Sequence, residues 1–246
     1  MSEAKDKITT PTSYRRAFWA AVIVTLLLWI IPFGGLVIYP FSVLATWAHE
    51  MGHGVTALIV GGGFHKLELY ASLGGVATTS TSGPLAGALV SFGGLIGAPF
   101  LGALIIAIGP RPKFVQAIIV TLSALLVISV ALWVQNAFGV IACITIAIGL
   151  GLGAWRLSPR RRFIAVQLIG IQLALSALRN WEYLFMANAK VGWKVIPSDV
   201  SAISKALGAP NFVWGVLITA INLGLLYGAY RLAKRRVNRE KAAAPA

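Results

Sequence analysis

The sequence predicts an all-α polytopic membrane protein, and three observations carry that reading. Of 246 residues, 58% are hydrophobic and only 11% charged, with a mean hydropathy of +0.82. A soluble domain of this size cannot hide so much apolar surface. Second, six stretches (17–39, 84–109, 113–134, 137–155, 163–186 and 211–233) are each apolar over the roughly 20 residues that a membrane helix needs. Third, the net charge of +14 is gathered at 5–16, 111–113, 156–162 and 231–241, each cluster abutting an apolar stretch. That is the placement of anchors against an anionic membrane surface, and it argues against a nucleic-acid partner. The expected plan is a polar basic N-terminal tail (1–16), a single integral membrane domain (17–233) and a basic C-terminal tail (234–246).

Taken in order, the first span should be kinked near its end by Pro32, Gly34 and Gly35 and limited by Pro40. Residues 41–60 form a seventh helix of similar length. Gly61-Gly62-Gly63 ends it, and the composition then changes. Phe64 to Tyr70 alternates polar and apolar residues, Gly74-Gly75 follows, and Val76 to Ser80 reads as a second strand, so 61–83 is expected to hold a short membrane-associated β-hairpin. Five spans come next, the last set apart from the others at 187–210 by a polar stretch with Lys190, Trp193 and Lys194. A short helix begins there at Ser198-Asp199, with Ser198 as its N-cap. Gly83, Gly87, Gly93, Gly94 and Gly97 recur through the span after the hairpin. With Gly52 and Gly54 they would let two helices approach closely.

The basic clusters bear on topology. If 41–60 crosses fully, the clusters at 111–113 and 156–162 fall opposite the N-terminus. If 41–83 enters and returns to the same face, all four clusters share one side. The positive-inside rule therefore favours about six transmembrane helices plus a re-entrant helix and hairpin, with both termini cytoplasmic. No signal peptide is expected, because residues 1–16 are polar and the first apolar run is too long to be cleaved off. Compactness and this lack of a targeting signal lead us to expect a bacterial cytoplasmic membrane.

The seventh helix carries the chemistry. Residues 49–53 read His-Glu-Met-Gly-His. Histidines four apart share one face of a helix, one turn from each other, and can hold one zinc ion. Glu50, beside the first histidine, can then act as general base on a metal-activated water. Ionisable groups inside apolar helices are costly and mark function. A catalytic zinc site takes three protein ligands and keeps one position open. The chain has three histidines, seven acidic residues and one cysteine, Cys143, so Cys-based sites and disulfide frameworks are excluded and the third ligand must come from His65, Glu68, Glu182 or Asp199. Residue types alone do not rank Asp199 above Glu182.

The segment His49-Glu-Met-Gly-His-Gly-Val-Thr-Ala-Leu-Ile-Val-Gly-Gly62 resembles the zinc helix of site-2-protease-type intramembrane metallopeptidases, in particular a compact bacterial branch of that group. Further similar features are the hairpin at 64–80, Ser82-Gly-Pro-Leu-Ala-Gly-Ala88, Gln135-Asn-Ala-Phe-Gly139, Gly170-Ile-Gln-Leu-Ala-Leu175, Ser198-Asp199-Val-Ser201, and Trp214 following Gly208-Ala-Pro210. The resemblance implies a zinc site buried among membrane helices, with His49 and His53 as ligands and Glu50 as base. It also implies hydrolysis of a peptide bond in or next to a substrate's transmembrane helix. The better-known members draw their third ligand from an Asp-Gly motif that this chain lacks. The Ser-Asp motif looks like its equivalent, which moves Asp199 ahead of Glu182.

Under that reading Asn136 or Asn180 is available to donate to an oxyanion, although an interhelical contact is the commoner use of such residues. The expected partners are a transmembrane protein or peptide substrate and the lipid bilayer. The alternative is a catalytically inactive relative serving as a membrane scaffold that binds client helices. A transporter would need several intramembrane carboxylates along a path and an internal repeat, and Glu50 stands alone in a clear span.

Overall fold

A computed structural model of the chain describes residues 11–109, 112–179, 181–191 and 194–242. Eight α-helices and two small hairpins make up the described fold: α1 (Pro11–Ile30), α2 (Gly34–Ile59), β1 (Gly63–Leu69), β2 (Gly75–Ser80), α3 (Pro84–Ile108), α4 (Pro112–Leu132), α5 (Ala137–Arg156), α6 (Pro159–Arg179), a 3-10 turn (Trp181–Leu184), β3 (Asn188–Val191), β4 (Lys194–Pro197), α7 (Asp199–Leu207) and α8 (Asn211–Ala242). Five helices are long and apolar enough to cross a membrane, and six if α1 and α2 are counted as one bent span. This is an all-α polytopic membrane protein.

The first departure from expectation lies between α1 and α2. The first span does not run to residue 39. It stops at Ile30, and residues 34–39 belong to α2, so Pro40 sits inside the helix instead of ending it. The break is made by Phe33, which adopts a left-handed conformation (φ 62°), and by Gly34, where a Cβ would overlap the Leu28 carbonyl. The two helices meet at 116°, so the chain turns back past perpendicular, the geometry of a broken span or of a re-entrant segment. At the far end, α8 continues to Ala242, through most of the stretch read as a tail.

α3 is the centre of the molecule and packs against α2, α6, α7 and α8. Its spanning window is 61% buried, against 22% for those of α5 and α8, which leave most of their apolar surface for lipid. Small side chains make the α2–α3 approach possible. A Cβ on Gly52 would overlap the Gly93 carbonyl, and one on Gly97 would stand 2.7 Å from the Ala48 carbonyl oxygen. Two glycines expected in this contact are used elsewhere. Gly54 makes room for the Phe64 ring of β1, and Gly83 turns the chain into α3 at φ 88°.

β1 and β2 pair antiparallel, Leu67 opposite Ala77, with a bulge at His65. The hairpin is fastened at several points. The outer edge of β1 bonds to the chain between α4 and α5, Leu67 N–H to Trp133 O (2.8 Å) and Gln135 N–H to Leu67 O (3.2 Å). Its turn is held to α2 by the Tyr39 hydroxyl on Ala71 O and the Thr46 hydroxyl on Leu73 O, both 2.8 Å. The β3–β4 hairpin has no counterpart in the sequence reading.

Candidate metal centre

α2 presents His49 and His53 on one face, as their spacing requires, with the two Nε2 atoms 3.1 Å apart. Asp199, the first residue of α7, closes a triangle: Oδ2 lies 3.3 Å from His49 Nε2 and Oδ1 lies 3.4 Å from His53 Nε2. Local structure fixes that carboxylate. The Ser198 side chain accepts the Ser201 N–H (3.2 Å), the N-cap bond expected of it, and its hydroxyl donates to Met186 O, so α7 begins at a defined point. The Tyr183 hydroxyl then donates to Asp199 Oδ2 at 2.8 Å. Burial works against charge on Asp199, but the His53 and His49 imidazoles outweigh it and hold the carboxyl well below the usual range. Burial, and then the Asp199 charge, push the Tyr183 phenol up, so it stays a donor.

The triangle fits a metal. Zinc–nitrogen and zinc–oxygen bonds of about 2.0–2.1 Å imply tetrahedral edges of about 3.3–3.4 Å; the two Nε2 atoms stand 3.1 Å apart, and each lies 3.3–3.4 Å from a different oxygen of the Asp199 carboxylate. His53 Nδ1 lies 2.9 Å from Val90 O, a bond that places an N–H there and turns Nε2 toward His49 and Asp199. Two ring nitrogens and a carboxylate converging at this range need a positive charge among them, a proton or a metal ion. Among the described residues, this is the only group of three or more such side chains close enough to share an ion.

Glu50 is buried and reaches β2, where its Oε2 accepts the Ala77 N–H at 2.7 Å. A Cβ on Gly75 would stand 2.6 Å from Glu50 Cγ, so the strand can approach the carboxylate only with glycine there. On the other side, a Cβ on Gly94 of α3 would overlap the His53 ring. A cleft of about 600 Å³ opens over these groups, walled by α2, β2, the start of α3, α7, Tyr183, and Ile196 and Pro197 of β4.

The remaining candidates lie elsewhere. Glu182 is exposed on the 3-10 turn, outside the group of three. His65 bonds to Ser80 Oγ (2.9 Å), and Glu68 pairs with Lys66 (3.0 Å). The Asn136 amide is engaged by β1: it donates to Leu69 O, and its Oδ1 accepts Leu69 N–H (3.1 Å). Asn180 lies outside the described residues. Sequence reasoning missed Tyr183, whose segment reads as an aromatic interfacial belt, and missed β4 as a wall of the cleft.

A family model described as Peptidase M50B-like matches residues 18–229, a stretch that contains both histidines, Glu50, the β1–β2 hairpin and Asp199. No curated protein and no solved structure matches the chain. M50 peptidases are zinc metalloproteases, and the donors gathered here suit that metal. Matched over most of its length, the chain belongs to the Peptidase M50B-like family and is a site-2-protease-like member of the membrane metallopeptidases.

Proposed function

We propose that this chain is an intramembrane zinc endopeptidase that hydrolyses peptide bonds in or near the transmembrane segments of membrane-protein substrates. The observation that carries the reading is the triangle of His49, His53 and Asp199 with the Glu50 carboxylate beside it, all facing one cleft. In this reading those three residues hold zinc. When bound, the metal supplies Lewis-acid chemistry, acidifying a water and polarising the scissile carbonyl. Glu50 takes the proton from the attacking water and returns it to the leaving amine. Tyr183 keeps Asp199 oriented toward the histidines.

A substrate must arrive as a strand, because the carbonyls of an intact helix are engaged and shielded. The outer edge of β2, where the Ala77 amide faces Glu50, is suited to pair with it. A scaffold that only binds client helices has no use for converging metal donors or for a buried carboxylate next to them.

Zinc content and cleavage test the reading together. Detergent-purified wild type should hold near one zinc per chain, and His49→Ala with His53→Ala, or Asp199→Ala, should lose it, while Glu182→Ala keeps it. A reporter with a single transmembrane helix should be cut by wild type and left intact by Glu50→Gln. Absence of zinc from wild type purified without chelators would overturn the proposal, as would cleavage by Glu50→Gln at the wild-type rate.

A further inference from the structure

Far along α1 from the break at Ile30, the helix runs beside α8, and the two enclose a second cleft of about 470 Å³. Arg15 and Arg16 from α1 and Lys234 and Asn238 from α8 line it, together with Tyr14 and Trp19. Among the described residues no carboxylate pairs with any of these three cations. The Tyr14 hydroxyl is buried and has no hydrogen-bond partner among the described residues, although an unmet buried hydroxyl costs stability. The floor is firm: Tyr230 of α8 stacks on Tyr14 (6.5 Å between centroids) and packs against Phe18 (4.7 Å) and Trp19 (6.1 Å). Among the described residues, this cleft is therefore a fixed concavity with three uncompensated positive charges at its rim and an unused donor in its wall.

We propose that the α1–α8 cleft binds the phosphodiester headgroup of an anionic phospholipid. Guanidinium groups pair with phosphate oxygens through charge-assisted bonds, and the ammonium of Lys234 adds a point charge. The Tyr14 hydroxyl gains an acceptor. Two sources could bring a phosphate, and the helix surface favours lipid over a soluble anion. Arg15, Trp19, Ile23, Leu27 and Ile30 follow one another at helical spacing on one stripe of α1. Its apolar members are all half-exposed or more, with Ile30 at 81%. A lipid seated with its phosphate at Arg15 can lay an acyl chain down that stripe, past a tryptophan at the depth where aromatic residues anchor.

The test uses the full-length protein in non-ionic detergent, with bound lipid read by native mass spectrometry. The probes are dioleoyl phosphatidylglycerol, dioleoyl phosphatidylcholine and inorganic phosphate. Wild type should retain phosphatidylglycerol about tenfold or more over phosphatidylcholine, and phosphate should not displace it. Arg15→Gln, Arg16→Gln and Lys234→Gln together should erase that preference, whereas removing the same charge elsewhere, with Arg156→Gln, Arg160→Gln and Arg161→Gln, should leave it. Tyr14→Phe should weaken retention by about tenfold. Equal loss in the two triple variants would overturn the site in favour of diffuse attraction to the surface. Displacement by phosphate would overturn the lipid in favour of a soluble anion. Should the first triple variant fail to fold, wild type that shows no preference for phosphatidylglycerol over phosphatidylcholine still overturns the proposal.

Discussion

The Tyr183 hydroxyl donates to Asp199 Oδ2 at 2.8 Å, so a side chain from the 3-10 turn aims the carboxylate that meets the two histidines of α2. Phenylalanine keeps the ring and removes that bond. Tyr183→Phe is expected to lower zinc affinity by about 10- to 100-fold, as loss of an outer-shell partner does. Chelator competition measures this directly. An affinity equal to wild type would show that Asp199 is held without the phenol.

Gly94→Ala places a methyl group where the His53 ring stands. Zinc content should fall well below one per chain while the protein remains a monodisperse, helical species in detergent. Gly35→Ala is the control, because nothing lies within 4 Å of a Cβ there, and it should keep its zinc.

Gly75→Ala acts on the other side of the site. The added methyl group crowds Glu50 and leaves the three metal donors alone. We expect zinc stoichiometry near wild type and turnover of a transmembrane reporter lowered by about 10²-fold or more, the usual scale for a displaced general base. Loss of zinc together with turnover would mean that the hairpin supports the metal as well as the base.

Asn136→Ala separates a structural role from a chemical one. The amide closes two bonds on the Leu69 backbone, so its removal should cost about 1–3 kcal/mol of stability, seen as a lower unfolding temperature in detergent. Zinc content should be unchanged. A fall in kcat with no change in unfolding temperature would restore Asn136 as an oxyanion donor.

Much of the fold was legible because the residues concerned act locally. The spacing of His49 and His53 needs only a helix to bring them together. Gly61 to Gly63 and the alternation after Phe64 specify the end of α2 and a hairpin without outside help. What sequence concealed depends on distant partners. Pro40 looks like a helix stop, yet the break is set by the left-handed Phe33 and by the contact between Gly34 and Leu28. Asp199 and Glu182 are both lone carboxylates on polar segments, and only the N-cap bond at Ser198 and the bond from Tyr183 set Asp199 against α2. The β3–β4 hairpin was hidden by its brevity, since strands of four residues, Asn188–Val191 and Lys194–Pro197, are too short to establish an alternation.

The β1–β2 hairpin is fastened at its turn by Tyr39 and Thr46, along its edge by Trp133 and Gln135, and near its end by Asn136. A strand tied at so many points is a rail and not a flap. For an enzyme of the proposed kind, the work of reaching a scissile bond then falls on the substrate, which must melt a turn of its own helix to lie along that rail. Selection would rest less on side-chain pockets than on how cheaply a candidate helix unwinds, so segments weakened by glycine or proline are the ones it should cut.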